Sequence, residues 1–196
     1  MSTQTRLEHE AAHGRVLADG EPERIWGWAS PAGRRRARRR ADLIATAGDL
    51  GPGRRVLEVG CGTGMFTEMW VSSGAEILAV DLAPELIERA RARQIGGAVR
   101  FAAKPFEKCD SEGPFDAIVG SSILHHLEVR PALRRLHQLL KPGGRMAFAE
   151  PNMLNPQVWL TKNVPWIKKA MGDSPDETAF VGLQLKSLLR KAGFRQ

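Results

Sequence analysis

One nine-residue segment restricts the fold and function of this chain more than any other. Residues 56–64 read VLEVGCGTG, an apolar run followed by glycines at three alternate positions. Such glycines allow a tight turn and let a ligand approach the backbone where side chains would collide with it. The segment therefore predicts a buried strand, a glycine-rich turn and the start of a helix, with a cofactor bound at the turn.

The charge beside this turn indicates which kind of cofactor binds there. A dinucleotide site has the pattern GxGxxG, with Gly or Ala at the position where this chain has Met65. Glu58 precedes the first glycine by two residues. An acid at this position would repel a pyrophosphate but would attract an ammonium or a sulfonium group. We therefore expect a cationic nucleoside rather than a dinucleotide.

A second acid supports a nucleoside. The apolar run 77–80 ends at Asp81, seventeen residues after Gly64. An aspartate beside the glycine turn can accept hydrogen bonds from both ribose hydroxyls, and such charge-assisted bonds contribute about 1.5–3 kcal/mol each. The alternative is that Asp81 only caps the helix that begins at Pro84.

Apolar runs and amphipathic segments alternate from residue 55 onward, a pattern typical of βα units around a parallel sheet. We predict strands at 55–59, 76–80, 99–102, 115–119 and 145–149, and helices at 31–47, 64–73, 84–93, 121–127, 131–140 and 178–192. The expected fold class is α/β, a Rossmann-like three-layer sandwich with a mostly parallel sheet.

Composition divides the chain into a leader and one main domain. Residues 1–30 are expected to form a leader with short helices, and residues 31–196 the main domain. Residues 151–175 interrupt the alternation with prolines and tryptophans. Because open α/β sheets bind ligands at the carboxyl ends of their strands, this segment is a candidate substrate lid. The alternative is a surface excursion with two buried tryptophans.

One short segment accounts for most of the net charge of +7. Six arginines lie within residues 34–40, and the rest of the chain has 23 basic and 22 acidic residues, so it has no general charge for binding nucleic acid. On a helix these arginines spread around more than half of the circumference, which favours a solvated face. The alternative is that they bind RNA phosphates, an acidic carrier or anionic lipid.

The remaining composition excludes several classes of protein. No stretch approaches the roughly 20 apolar residues that span a bilayer, and the N-terminus lacks the apolar region of a signal peptide, so we expect a cytoplasmic protein. The two cysteines form no CxxC pair and the five histidines have no metal-ligand spacing, so we expect no disulfide framework and no metal. Residues 159–169 are a candidate for peripheral membrane contact, although Pro165 interrupts a helix there.

Four segments together resemble the class I S-adenosylmethionine-dependent methyltransferases. They read VLEVGCGTG, AVDLAPELIERAR, FDAIVGSSILHHLE and LKPGGRMAFAEPN, in the family's order and spacing, and the resemblance covers roughly residues 40–150. It implies S-adenosyl-L-methionine as the cofactor. The family's fold continues through two further strands that we do not expect here, so the edge of the fifth strand would favour pairing with a second copy in a homodimer.

The resemblance also implies which residues hold the cofactor. Glu58 and the glycine turn belong to the methionine end, Asp81 to the ribose, and the loops after the third and fourth strands to the adenine and the methionine. The implied cofactor-binding residues are Glu58, Gly60, Cys61, Gly62, Thr63, Gly64, Asp81, Leu82, Ala103, Lys104, Ser121 and Ser122. Many relatives have an Asp where this chain has Ala102 and Ala103, which leaves adenine recognition to backbone groups or to Phe106.

Two histidines are the candidate catalytic residues. Catalysis in this family is mostly alignment of the reacting groups, and a base helps when the acceptor is a hydroxyl or a protonated amine. His125 and His126 follow the fourth strand near the expected methyl position. The alternative is that they pack or cap a helix. Glu150 and Asn152, at the end of the fifth strand, are candidates for substrate binding.

The sequence therefore predicts an enzyme that transfers a methyl group from S-adenosylmethionine to a small or lipid-like metabolite by in-line displacement. Two alternatives stay open. One is an RNA methyltransferase that uses the arginines of residues 34–40. The other is a catalytically incompetent fragment that binds the cofactor or a partner chain.

Overall fold

The computed structural model describes residue 12, residues 14–164 and residues 180–195. Their core is a five-stranded sheet in the order β3-β2-β1-β4-β5, in which every pairing is parallel. The strands are β1 (Arg55–Val59), β2 (Glu76–Asp81), β3 (Val99–Ala103), β4 (Phe115–Ser121) and β5 (Leu140–Ala149). The predicted α/β fold is confirmed, and each predicted strand is present.

Helices cover both faces of this sheet. They are α1 (Pro22–Ile25), α2 (Pro31–Gly48), α3 (Met65–Trp70), α4 (Pro84–Ala92), α5 (Val129–Leu139), α6 (Pro156–Asn163) and α7 (Gly182–Lys191), and residues 14–19 are also helical. Successive strand residues point to opposite faces. Val56 belongs to a buried cluster with Ala41 of α2, and Leu57 to a second cluster with Leu133 of α5. The result is the expected three-layer sandwich.

The α2 helix approaches the sheet through a face of small residues. Ser30 caps its start by accepting a hydrogen bond from the Gly33 N–H at 3.0 Å. Ala37 and Ala41 are buried, and the Trp70 indole N–H donates to the Ala41 carbonyl at 3.0 Å. Because this face packs against the core, the arginines are confined to the remaining surface of the helix.

The segment 121–127 differs from the predicted helix. It forms only a 3₁₀ turn at Leu124–His126, and Ser122 has a positive φ of 55°. The Glu150 carboxylate accepts hydrogen bonds from the backbone N–H groups of Ile123 and Leu124, at 3.0 and 2.9 Å. These bonds tie the segment to the residue that follows β5.

The predicted lid is described in part, because residues 165–175 lie outside the described residues. The described part contains α6 and an isolated parallel bridge between Asn152 and Phe180. Trp159 on α6 is 53% exposed, so the alternative of buried tryptophans fails for this residue. Residues 178 and 179, predicted to begin the last helix, also lie outside the described residues. Across the described ranges, no helix combines the length and apolar character needed to cross a membrane.

Candidate active site

The turn after β1 has the conformation that its glycines predict. Gly60 and Gly62 have positive φ angles of 69° and 53°, which glycine adopts at little cost. A Cβ atom on Gly60 would lie 2.5 Å from the Ile123 side chain, and one on Gly62 would lie 3.0 Å from the Trp26 ring. The Gly60 N–H donates to the Val80 carbonyl at 2.9 Å, so the turn is fixed beside the end of β2.

A cavity of about 360 Å³ opens beside this turn, at the carboxyl ends of the central strands. Small-molecule sites typically have about 300–1,000 Å³. The predicted cofactor-binding residues that line it are Gly60, Cys61, Gly62, Thr63, Asp81, Leu82, Lys104, Ser121 and Ser122, and both predicted catalytic residues, His125 and His126, line it as well. Three predicted residues, Glu58, Gly64 and Ala103, do not line the cavity.

Asp81 joins the end of β2 to the glycine turn. Its Oδ2 accepts the Gly62 N–H at 2.9 Å, and its Oδ1 accepts the Ala83 N–H at 3.0 Å, immediately before α4. Burial raises the pKa of Asp81, and these backbone hydrogen bonds oppose the shift. The bond to Ala83 forms a turn before α4, but the N-cap of that helix is Ala83 and no side chain caps it, so the capping alternative fails. The Asp81 carboxylate lines the cavity. Each carboxylate oxygen can still accept a further hydrogen bond.

Glu58 is buried beside the cavity without lining it. Its side chain is among the buried polar groups, and its Oε2 accepts the Thr67 hydroxyl hydrogen at 2.6 Å. Burial raises the pKa of the Glu58 carboxyl to about 8, although the hydrogen bond from Thr67 lowers it. Any effect of Glu58 on a ligand therefore passes through the turn or through water.

His125 and Glu150 form a buried hydrogen-bonded pair. His125 Nδ1 lies 2.6 Å from Glu150 Oε2, and the two side chains are 2% and 5% exposed. The hydrogen bond places the proton on Nδ1 and leaves Nε2 in the form that can accept one. The His126 ring lies beside the His125 ring, tilted by 40° with 4.3 Å between the centroids.

One arginine of α2 turns away from solvent toward this site. Arg40 Nη1 donates to the hydroxyls of Ser121 and Ser122 at 3.1 and 2.7 Å. Its guanidinium lies 5.0 Å from the Trp28 ring centroid. Burial lowers the pKa of Arg40, and the Glu150 charge opposes that shift. Arg40 departs from the solvated face predicted for the arginine run and brings a positive charge to the turn after β4.

The leader segment also reaches the glycine turn. Trp26 and Trp28 line the cavity. Glu23 accepts a hydrogen bond from the Thr63 hydroxyl at 2.7 Å and pairs with Arg93, whose Nε also donates to the Thr63 carbonyl at 2.6 Å. The leader is thus held to the turn by charged and aromatic contacts.

The loop after β3 contributes an acid that the sequence analysis missed. Phe106 and Glu107 line the cavity together with Lys104, whereas Ala103 is exposed. Glu107 Oε2 is buried and has no hydrogen-bond partner within the described residues. Burial raises the pKa of Glu107. A buried acceptor of this kind suits a ligand that brings a donor.

Most of the chain matches a known protein family. Residues 32–196 match the model of the methyltransferase domain family. The chain belongs to this family. The resemblance to class I S-adenosylmethionine-dependent methyltransferases is thereby confirmed.

Two named relatives match this methyltransferase domain over different lengths. The ubiquinone biosynthesis O-methyltransferase of Xanthomonas campestris pv. campestris is 36% identical over 118 residues, which is 58% of this chain and 49% of that protein. Nodulation protein S of Rhizobium tropici is 33% identical over 150 residues, 74% of this chain and 61% of that protein. The chain thus spans about half to three fifths of the length of these relatives.

A solved structure supports the fold. The N-methyltransferase NodS from Bradyrhizobium japonicum WM9, in complex with S-adenosyl-L-homocysteine, superposes with a TM-score of 0.68 and 23% identity. The match covers 93% of this chain and 85% of that one. At this identity the likeness shows a shared fold.

The methyltransferase site combines residues that sequence analysis found with others that it missed. Local motifs pointed to the turn, to Asp81 and to the histidines. The sequence analysis missed Arg40 because it lies in the arginine run that was expected to face solvent. It missed Glu107 because the search for an adenine-binding acid stopped at Ala102 and Ala103. Within the described ranges, no group of three or more histidine, cysteine or acidic residues is placed to hold a metal ion.

Proposed function

We propose that this methyltransferase domain binds S-adenosyl-L-methionine in the cavity and methylates a hydroxyl group of a small, apolar metabolite. One observation carries the proposal: the glycine turn, the Asp81 carboxylate and His125, whose ring is hydrogen-bonded to Glu150, line a single cavity. S-adenosylmethionine supplies an electrophilic methyl group when it is bound.

The walls of the cavity fit the parts of this cofactor. Asp81 would accept the ribose hydroxyls through the acceptor capacity that its backbone bonds leave. Leu82 and Phe106 provide apolar surface for the adenine, and the buried Glu107 oxygen suits its amino group. Arg40 does not itself line the cavity, but it donates hydrogen bonds to Ser121 and Ser122, which do, and from there it would attract the methionine carboxylate. This last contact involves a residue that the family resemblance did not indicate.

Three predicted residues act less directly in this proposal. Glu58 would influence the cofactor's ammonium group through water, since Thr67 occupies one of its oxygens. Gly64, with a positive φ of 77°, shapes the end of the turn before α3. Ala103 is exposed and would not touch the cofactor.

His125 would act as the base that removes the acceptor's proton. Glu150 fixes the ring through Nδ1 and stabilises the positive charge that the ring gains on protonation. Such a pair is useful for a hydroxyl acceptor, which loses its proton during methylation. The burial of both side chains keeps bulk water from competing for that proton.

Apolar walls favour an apolar acceptor. Trp26, Trp28, Phe66, Ile123 and Leu127 line the cavity. The polar side chains among its lining residues include two carboxylates, one lysine, two histidines and three hydroxyls. The relative named for ubiquinone biosynthesis supports a hydroxyl as the acceptor group, since its name specifies an O-methyltransferase.

The proposal is tested by binding and turnover together. Calorimetry should show that S-adenosylmethionine and S-adenosylhomocysteine bind with dissociation constants of about 1 μM. Phenols and catechols should then yield S-adenosylhomocysteine, and primary amines of matched size should yield less. Failure of both nucleosides to bind at millimolar concentration would contradict the proposal. Binding with a preference for amines would contradict only the choice of acceptor.

A further inference from the structure

The arginine run of α2 divides into two groups in the folded protein. Arg36 and Arg40 turn toward Trp28, with guanidinium carbons 5.8 and 5.0 Å from its ring centroid. The other four arginines share the opposite, exposed side and surround an open concave surface with Pro31 and Asp42. These four, Arg34, Arg35, Arg38 and Arg39, form what we term the arginine face.

The arginine face is not explained by the stability of the helix. Its members occur at spacings of three and four residues, at which like charges destabilise a helix. Arg34 also lies in the first turn of α2, which has no acidic residue, although the positive end of the helix dipole disfavours a cation there. Within the described ranges none of the four makes an ion pair with a carboxylate.

The surroundings of the face indicate the chemistry of its partner. Arginine binds phosphate groups through paired N–H donors. Leu43 follows Arg39 by one helical turn on the same side and is 62% exposed, so an apolar group borders the charges. Exposed arginines are attracted to anionic lipid headgroups, and an apolar side chain beside them can enter the interface.

Nucleic acid fits the same face less well. From Arg34 to Arg39 the charges extend only about 7.5 Å along the helix axis, which is short for following a chain of phosphates. The nearest aromatic ring, Trp28, is already covered by Arg36 and Arg40. The chain outside residues 34–40 has 23 basic and 22 acidic residues, so it adds almost no net positive charge that would attract nucleic acid.

We propose that the arginine face docks this protein on an anionic phospholipid surface. Each arginine near such a surface strengthens binding about fivefold, so the four together should contribute roughly two to three orders of magnitude. The docking is electrostatic at its centre, with Leu43 entering the headgroup region beside it. It is independent of which metabolite the cavity methylates.

Sedimentation with vesicles tests this proposal. The full chain should bind vesicles that contain phosphatidylglycerol and should stay in solution with pure phosphatidylcholine vesicles. The variant R34Q/R35Q/R38Q/R39Q should lose at least about a hundredfold in binding. Added salt should weaken binding of the unmodified protein, because it screens exposed charges.

A matched variant separates this surface from net charge. R89Q/R130Q/R134Q/R190Q removes four exposed arginines elsewhere and should bind vesicles within a few-fold of the unmodified protein. Equal loss in both variants would overturn the proposal, since total charge would then explain the binding. A single-stranded RNA that binds through the same four arginines, with no vesicle binding, would overturn it in favour of RNA. Circular dichroism of each variant confirms folding.

Discussion

His125 and Glu150 are joined by a hydrogen bond of 2.6 Å between Nδ1 and Oε2, buried at the end of β5. The other oxygen of the same carboxylate accepts two backbone N–H groups of the turn that carries His125. One side chain therefore fixes both the loop and the ring. Because Nδ1 is engaged, the ring is held in the tautomer that accepts a proton at Nε2.

We expect substitutions in this pair to lower kcat rather than substrate affinity. His125→Ala should lower kcat by about 10²–10⁴-fold with little change in KM, as expected for removal of a general base. Glu150→Gln keeps an oxygen for the loop amides but presents N–H to the ring, and should lower kcat by about tenfold or more. Steady-state kinetics across pH measure both.

The double variant and a neighbouring histidine serve as controls for the pair. His125→Ala combined with Glu150→Gln should be no slower than His125→Ala alone, because the two residues act as a unit. His126→Ala should keep more activity than His125→Ala. Unchanged kcat in His125→Ala would remove His125 as the base.

Asp81 should determine affinity for the nucleoside. Asp81→Ala should weaken binding of S-adenosylhomocysteine about 10–100-fold, because one or two charge-assisted hydrogen bonds are lost. Asp81→Asn keeps one acceptor oxygen, so its affinity should lie between the affinities of Asp81→Ala and the unmodified protein. Calorimetry measures the affinities, and circular dichroism checks folding. An unchanged affinity in folded Asp81→Ala would place the ribose elsewhere.

Glu107 should select adenine over hypoxanthine. The unmodified protein should bind S-adenosylhomocysteine about tenfold or more tighter than the inosine analogue, whose ring has an oxygen in place of the amino group. Glu107→Ala should remove this preference, and Glu107→Gln should retain affinity for the adenine form through its amide oxygen. Competition binding gives the ratio. Equal preference in all three proteins would show that Glu107 does not face the base.

Arg40 should recognise the carboxylate of the cofactor. Arg40→Gln should weaken binding of S-adenosylhomocysteine about tenfold or more while leaving adenosine binding nearly unchanged, since adenosine has no carboxylate. Arg36→Gln is the matched control, because Arg36 also lies over Trp28 but makes no hydrogen bond to the serines after β4. A similar loss for adenosine would assign Arg40 a purely structural role.

Glu58 should make stability depend on pH. Its pKa is about 8 in the folded protein and 4.5 ordinarily, so between these values the folded chain holds a proton that the unfolded chain has released. The free energy of unfolding should therefore fall as pH rises through this window. Glu58→Gln cannot titrate, and its free energy of unfolding should fall less. Urea unfolding across this range measures the slopes; equal slopes would contradict the buried, protonated state.

Much of the fold was predictable because its signals are local. Apolar periodicity gave the five strands, and the glycines gave the turn after β1, since both depend on residues adjacent in the chain. The error at 121–127 has a different origin. Hydrogen bonds from the backbone of this segment to Glu150, more than twenty residues later, hold the turn that forms there. Local helix signals carry no information about such a partner.

For this protein, the sequence alone determined the family, the five strands of the sheet, and the place of the glycine turn and Asp81 beside the cofactor cavity. Each of these features is encoded in a short contiguous pattern. Only the tertiary structure decided which other side chains surround that turn. Trp26, Arg40 and Glu107 come from three separate segments, and packing brings them to the same region. Six neighbouring arginines look alike in sequence, but the helix's orientation against the core directs Arg40 to the serines and leaves four of the others facing solvent.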